Sequence, residues 1–156
     1  MHYAGIGSRR TPPDVLARMT ATATALDLCG YTLRSGGAVG ADTAFERGVL
    51  SGRKEIFLPW PFFNTHASQL HLSNPRLYIT QAMELAAAHH PAWNRCDFRA
   101  RSFHARNCFQ VLGARLDDPV AFVICWTPRG ELVGGTALAI RIAHAYGVPV
   151  HNWGAE

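Results

Sequence analysis

Residues 33–48, LRSGGAVGADTAFERG, decide the fold of this chain. They place Gly36, Gly37 and Gly40 between a short apolar run and an amphipathic run that begins at Ala41. A glycine-rich turn between a strand and a helix permits positive φ angles and leaves backbone N–H groups free at the positive end of the helix dipole. The pattern therefore predicts a turn from strand to helix that binds an anion, with phosphate as the expected one.

The glycine spacing matches neither GxGxxG nor GxxxxGK[ST], and no lysine follows Gly40. A glycine cluster of this kind also occurs where the chain merely turns. A second cluster, Val133-Gly134-Gly135-Thr136, lies far away in the sequence and also precedes a helical pattern. Two such turns in one chain favour a ligand-binding role over a purely structural one.

The composition is that of one globular domain covering residues 1–156. Hydrophobic residues make up 48% and charged residues 17%, which excludes an extensively disordered chain. The formal net charge is +4, and all cationic side chains except Lys54 are arginines. Arginine suits bidentate contacts with phosphate. The positive net charge is therefore compatible with a nucleotide or a nucleic acid as the ligand, without specifying either.

No cofactor, metal or membrane is predicted. The four cysteines form no CxxC pair and have no Cys/His ligand spacing, and they are interpreted as reduced thiols. His66, His71, His89 and His90 form no HExxH or comparable motif. The N-terminus lacks the apolar core of a signal peptide and no segment is apolar enough to span a membrane, so a cytoplasmic protein is expected.

Hydrophobic periodicity predicts strands that alternate with helices. The predicted strands are 2–6, 31–34, 55–58, 120–126 and 148–152, and the predicted helices are 15–29, 42–50, 77–89, 102–112 and 135–146. Residues 59–101 are interpreted as an irregular insert around the third helix. Such alternation predicts an α/β fold, a Rossmann-like three-layer domain with a mostly parallel sheet and helices on both faces.

Ligands of such sheets bind at the carboxyl ends of the strands, which selects the candidate site residues other than Arg106 and Asn107. These two lie in the predicted helix 102–112 and are candidates only through the family resemblance given below. Phosphate is expected on the N–H groups of two turns, with Arg9 and Arg106 neutralising its charge. Asp42 and Asn107 are candidates to contact sugar hydroxyls, and Trp60 to pack a base. The ligand-binding prediction thus comprises Gly7, Ser8, Arg9, Ser35, Gly36, Gly37, Ala38, Gly40, Asp42, Trp60, Arg106, Asn107, Thr127, Gly134, Gly135 and Thr136.

Each candidate has a structural alternative. Arg9 is equally interpretable as a solvated turn residue, and Ser35 and Thr136 as helix caps. Asp42 and Glu46 lie four residues apart on one helical face, where both are also typical surface or capping carboxylates. Asp42 is alternatively a brace for the glycine-rich loop, and Trp60 a core residue.

Four stretches in order resemble the SLOG superfamily, the Rossmann-like group that joins DNA-processing DprA/Smf proteins to LOG-type nucleotide hydrolases. Residues 4–9 (AGIGSR) resemble its first-strand G-S-R turn, and residues 35–42 (SGGAVGAD) its S-G-x-A-x-G-x-D loop. Residues 104–107 with 112–113 are similar to an R-N-containing DprA segment, and Gly134-Gly135-Thr136 with residues 147–150 to the closing helix and strand. The resemblance is nearest to small phage and bacterial DprA-like proteins.

The resemblance implies that the chain binds a nucleotide or a nucleotide-derived signal, as a sensor or sequestering protein. LOG-type hydrolases carry a glutamate after the second G-T, and here residues 135–140 contain no carboxylate. Cleavage of a nucleoside 5′-monophosphate at its N-glycosidic bond would therefore require Glu46, Asp42 or Glu131 as the catalytic carboxylate.

A third alternative is a DprA-like recombination mediator that binds single-stranded DNA. The arginines and aromatic residues of segment 95–106 would then supply the groove, or else form a solvated helix face. The resemblance also implies a homodimer or a higher homo-oligomer that pairs through the apolar faces of helices 102–112 and 137–146.

Overall fold

The computed structural model describes all residues 1–156. Five strands and five helices alternate along the chain, except that two consecutive helices lie between the third and fourth strands. The strands are β1 His2–Gly5, β2 Thr32–Ser35, β3 Lys54–Ile56, β4 Val123–Cys125 and β5 Val150–Asn152. The helices are α1 Pro13–Leu28, α2 Ala41–Gly48, α3 Ile79–His89, α4 Phe98–Leu112 and α5 Thr136–Ala145. No helix combines the length and apolar character that crossing a membrane requires.

All five strands are parallel and form one sheet in the order β3-β2-β1-β4-β5. Ala4 of β1 lies opposite Arg34 on one side and Val123 on the other. The chain moves outward from β1 to β2 and β3, then returns to place β4 on the other side of β1. The direction of travel therefore reverses between β1 and β4, which is where open α/β sheets bind ligands.

Helices cover both faces of the sheet and create two apolar cores. Helices α1 and α2 pack together over one face, in a core that includes Tyr3, Met19 and Phe45. Helices α3, α4 and α5 cover the other face, in a larger core that includes Phe57 and Phe109. The predicted α/β class, a Rossmann-like three-layer fold with a parallel sheet, is confirmed.

Helix α4 begins earlier than predicted, and this changes the interpretation of the insert. The Asp97 carboxylate accepts a hydrogen bond from the Ala100 N–H at 2.8 Å and caps the helix. The first turn of α4 therefore starts at Phe98 rather than at residue 102. Arg99, which the sequence analysis placed in the irregular insert, therefore lies on the same continuous helix as Phe103.

The helical faces expected to form a dimer are used within the chain. In α4, Ala105, Phe109 and Leu112 are fully buried in the larger core, together with Leu138 and Ile142 of α5. A face already covered by its own sheet cannot also pair with a second copy. Dimerisation stays a prediction and would have to use other surfaces.

The contact between α1 and α2 provides a test of this packing. A methyl group at Gly48 would collide with the Thr20 carbonyl oxygen and lie 2.6 Å from the Ala23 Cβ. We expect Gly48→Ala to lower the free energy of unfolding by about 2 kcal/mol, because a backbone atom cannot move aside cheaply. Helix propensity alone predicts the opposite sign, since alanine is favoured over glycine by roughly 1 kcal/mol.

Urea unfolding of both proteins measures this difference. The control is Gly135→Ala, because nothing lies within 4 Å of a Cβ at that position and its φ is −66°. The control should change the free energy of unfolding by no more than about 0.5 kcal/mol. Equal effects of the two substitutions would contradict the packing described.

Candidate functional site

A cavity of about 700 Å³ opens at the carboxyl ends of β1 and β4, where the strand order reverses. Ten of the predicted ligand-binding residues line it: Gly7, Ser8, Arg9, Ala38, Asp42, Arg106, Asn107, Gly134, Gly135 and Thr136. The remaining lining residues include Arg10, Phe63, His90, Arg99, Phe103, His104 and Gln110. The two glycine-rich regions, distant in sequence, thus contribute to one cavity.

The turn after β1 forms one rim of this cavity. The Ser8 N–H donates to the Trp126 carbonyl at 3.1 Å, which continues the pairing of β1 with the end of β4. Gly40, at a φ of 90°, packs against the backbone of this turn, where a Cβ would lie 3.0 Å from the Arg9 Cα. Arg9 and Arg10 are exposed, and no carboxylate forms an ion pair with either. Both are therefore available to an anionic ligand.

The opposite rim is the turn that leads into α5. The N–H groups of Gly134, Gly135 and Thr136 donate no hydrogen bond within the protein, as expected of the first turn of a helix. The Asn107 side-chain amide donates to the Gly135 carbonyl at 2.6 Å and ties this turn to α4. Asn107 therefore positions the turn, and its predicted contact with a sugar hydroxyl stays a prediction.

Arg106 lies at the buried end of the cavity, and the residue is only 6% exposed. Its Nη1 donates to the Gly36 carbonyl and, at 3.4 Å, to the Phe57 carbonyl. Its Nε is buried and has no hydrogen-bond partner in the protein. Burial lowers the pKa of Arg106, and the nearby Asp42 opposes this change. A buried donor without a partner beside a cavity is a group that a ligand could satisfy.

Asp42 lies beside this arginine and is 3% exposed. Burial raises the pKa of its carboxyl to about 6, against the opposing effects of Arg106 and of the N–H groups of Ala38, Gly36 and Gly7. The Ala38 N–H donates to Asp42 Oδ2 at 3.3 Å. Of the alternatives for Asp42, its geometry favours the brace for the loop.

The glycine-rich loop after β2 consequently differs from the open phosphate-binding turn expected from the sequence. A Cβ at Gly36 would meet the Arg106 guanidinium, and one at Gly37 would lie 2.8 Å from the Leu58 side chain. The N–H of Ala38 already has an acceptor in Asp42. Gly36, Gly37 and Gly40 therefore serve close packing within the protein, and the phosphate prediction for this loop stays a prediction.

Helix α4 supplies the wall between the two rims. Arg99 and Phe103 line the cavity from α4, and Phe63 lines it from the segment after β3. The rings of Phe63 and Phe103 meet edge to face, with centroids 5.4 Å apart. Trp60 packs against both rings and lies beneath the Arg99 guanidinium, at 4.9 Å. Trp60 thus supports the aromatic wall from behind, and Phe63 and Phe103 are the rings that reach the cavity.

Three other predicted residues lie away from the cavity. The Ser35 hydroxyl donates to the Gly5 carbonyl at 2.6 Å, and Thr127 exchanges hydrogen bonds with Asn152 at the end of β5. Glu46 pairs with Lys54 and His66, each at 2.8 Å. Although burial opposes the change, hydrogen bonds from these two partners lower the pKa of Glu46. This placement does not support catalysis by Glu46 on a ligand in the cavity.

The arrangement is chemically suited to an anion attached to an aromatic or apolar group. Exposed arginines and free N–H groups lie on the rims, and aromatic rings form one wall. Sequence reasoning missed Arg10, Gln110 and the cavity-facing role of His90 and His104. The sequence pattern that could have indicated this wall is the alternation of arginine and aromatic residues at 98–106. That pattern indicates a binding surface only when those residues are known to lie on one helix.

Comparison with known proteins identifies a similar fold. No protein-family model matches this chain, and no curated protein matches it in sequence. Among solved structures, DNA processing protein A from Helicobacter pylori, described for its single-stranded DNA binding mode, has a TM-score of 0.61 and 20% sequence identity. The match covers 97% of this chain and 64% of that chain. The fold is therefore DprA-like, and this chain spans less than two thirds of that protein.

Proposed function

We propose that the chain binds single-stranded DNA in this cavity, with one phosphate between Arg9 and the N-terminal turn of α5. The observation that carries the proposal is the set of exposed arginines without carboxylate partners, Arg9, Arg10 and Arg99, around an aromatic wall. Cationic side chains that contact the backbone and rings that stack on bases are the two elements of single-strand binding. The DprA-like fold is consistent with this role.

The phosphate position follows from the geometry of the rims. The N–H groups of Gly134, Gly135 and Thr136 are without acceptors at the positive end of the α5 dipole. Ser8 and Arg9 line the facing rim. A phosphate bound there would receive backbone and guanidinium hydrogen bonds together. Phe63 and Phe103 would then stack on a neighbouring base.

The second candidate is a free nucleotide or a nucleotide-derived signal, with the chain acting as a sensor or sequestering protein. Its support is the buried end of the cavity, where Arg106 has an unpartnered Nε and Asp42 has a pKa of about 6. A volume of about 700 Å³ lies within the range of small-molecule sites. N-glycosidic cleavage depends on Asp42 in this arrangement, because Glu46 and the exposed Glu131 do not line the cavity.

Fluorescence anisotropy with a labelled oligothymidylate tests the proposal. If three arginines contact phosphates, the slope of log K against log salt should be about −2, and affinity should fall roughly 20-fold between about 50 mM and 200 mM salt. A blunt duplex of the same length should bind more weakly, since its bases cannot stack on the aromatic wall. Absence of binding, or binding that does not depend on salt, would overturn the proposal.

Competition separates the candidates. A nucleoside monophosphate that binds tightly while the oligonucleotide does not would identify the free nucleotide as the ligand. Chromatography of the same mixture for released base decides the glycosidase alternative, for which Asp42→Asn is the matched inactive variant. No release of base at high protein concentration would exclude cleavage.

A further inference from the structure

One side-chain cluster in the cavity wall is not used by the DNA contacts proposed above. It contains His90 at the end of α3, Cys96 just before α4 and His104 within α4. One potential ligand atom from each residue lies within 4.8 Å of the other two. Cys96 Sγ is 3.8 Å from His90 Nε2, and the two imidazole centroids are 4.3 Å apart. The three residues are six and eight positions apart in the sequence, and this spacing matches no metal-binding motif, so the sequence alone does not indicate the cluster.

The separations between these ligand atoms are somewhat longer than a tetrahedral zinc ion requires. Zinc binds imidazole nitrogen at about 2.0–2.1 Å and thiolate sulfur at about 2.3 Å, so two ligand atoms on one ion lie roughly 3.3–3.6 Å apart. The Sγ to Nε2 distance of 3.8 Å exceeds this by a few tenths of an ångström. All three ligand atoms lie within 4.8 Å of one another, so side-chain rotations that close gaps of at most about 1.5 Å bring them onto one centre.

His104 provides an independent reason to expect an ion. Its Nδ1 is buried and has no hydrogen-bond partner in the protein. A buried ring nitrogen without a partner calls for a ligand that the protein itself does not supply.

We propose that His90, Cys96 and His104 bind a zinc ion in the wall of the cavity. Two imidazoles and a thiolate form a borderline-soft ligand set that suits zinc and excludes calcium and magnesium, which prefer oxygen. His90 and His104 both line the cavity. An ion bound by these residues would therefore lie in the wall of the cavity, held by three protein ligands.

Zinc binding requires one hydrogen-bond exchange at His90. Its Nδ1 accepts a hydrogen bond from the Ala92 N–H at 3.0 Å, so the metal-free ring carries its proton on Nε2, directed at Cys96. On binding, that proton moves to Nδ1, the Ala92 contact opens and the Cys96 thiol releases its proton to solvent. Coordination replaces one hydrogen bond and adds a link between the end of α3, the segment before α4 and α4 itself.

The first experiment measures metal directly on the full chain without DNA. Protein stripped with a chelator is titrated with zinc, and metal content is determined after desalting. We expect one zinc per chain, lost in Cys96→Ser and in His104→Gln and retained in Cys29→Ser, which removes an exposed thiol far from the cluster. Cobalt in place of zinc should produce a thiolate-to-metal charge-transfer band that Cys96→Ser abolishes.

A second measurement uses the unmodified protein, so it does not depend on the folding of any variant. Alkylation followed by peptide mass spectrometry compares Cys96 with and without zinc, and exposed Cys29 serves as the internal reference. Zinc should slow alkylation of Cys96 at least tenfold and leave Cys29 unchanged. Equal alkylation rates at Cys96, or zinc retained by Cys96→Ser, would overturn the zinc site and leave the DNA-binding proposal untouched.

Discussion

Replacement of Arg106 by methionine is expected to lower the free energy of unfolding by about 3 kcal/mol. The substitution leaves the carbonyls of Gly36 and Phe57 without their donor, and each hydrogen bond from a charged group is worth about 1.5–3 kcal/mol. It also removes the cation that favours the ionised form of buried Asp42. For a chain of this size the melting temperature should fall by roughly 6–12 °C.

Arg101→Met is the matched control for this experiment. Arg101 lies on the same helix, stacks over Trp93 and donates one hydrogen bond to the Trp93 carbonyl at 3.2 Å. Replacing Arg101 should lower the free energy of unfolding by roughly 1 kcal/mol. Urea unfolding at neutral pH measures both variants. Through Gly36 and Phe57, the Arg106 guanidinium links the segments that follow β2 and β3. If Arg106→Met lowers the free energy of unfolding no more than Arg101→Met does, this link does not stabilise the fold.

The second large effect concerns binding. Simultaneous replacement of Arg9, Arg10 and Arg99 by alanine should weaken binding of single-stranded DNA about 100-fold at low salt. Each of these side chains is exposed at the cavity and has no carboxylate partner, so each is free to contact a phosphate. The slope of log K against log salt should become less negative by about 2, because three phosphate contacts are lost. Anisotropy titrations at several salt concentrations measure both quantities.

A second triple variant tests whether the loss of affinity comes from the position of the three arginines or only from the change in net charge. Alanine at Arg47, Arg76 and Arg115, all exposed and outside the cavity, produces the same change in formal charge, from +4 to +1. This control should lose much less affinity than the cavity variant. Equal losses would mean that general electrostatic attraction, rather than the cavity, accounts for binding.

The fold could be predicted from the sequence because its signals are local. Apolar runs, Gly30 after α1 and the alternation of short strands with helices all lie within windows of about fifteen residues. The start of α4 was missed because Asp97 caps the helix in a stretch whose proline and aromatic residues indicated irregular structure. The dimer faces were misjudged for a related reason: periodicity identifies an apolar face without identifying what covers it.

The candidate site was predictable only in part. The rule that ligands bind at carboxyl ends of strands selected Gly7, Arg9 and Gly134, which line one cavity in the structure. It could not reveal that the Asp42 carboxylate turns back onto the Ala38 N–H, because that contact depends on side-chain direction. Nor could it place His90 beside Cys96 and His104, which three separate segments bring together.

The position of β1 at the middle of the sheet has a consequence for biosynthesis. During synthesis β1 leaves the ribosome well before β4, yet Ala4 of β1 pairs with Val123, which follows it by 119 residues. Contacts between residues so distant in sequence slow folding, since a long loop must close first. During translation, one edge of β1 therefore stays unpaired until β4 emerges, and this interval is when chaperones or aggregation would compete for the nascent chain.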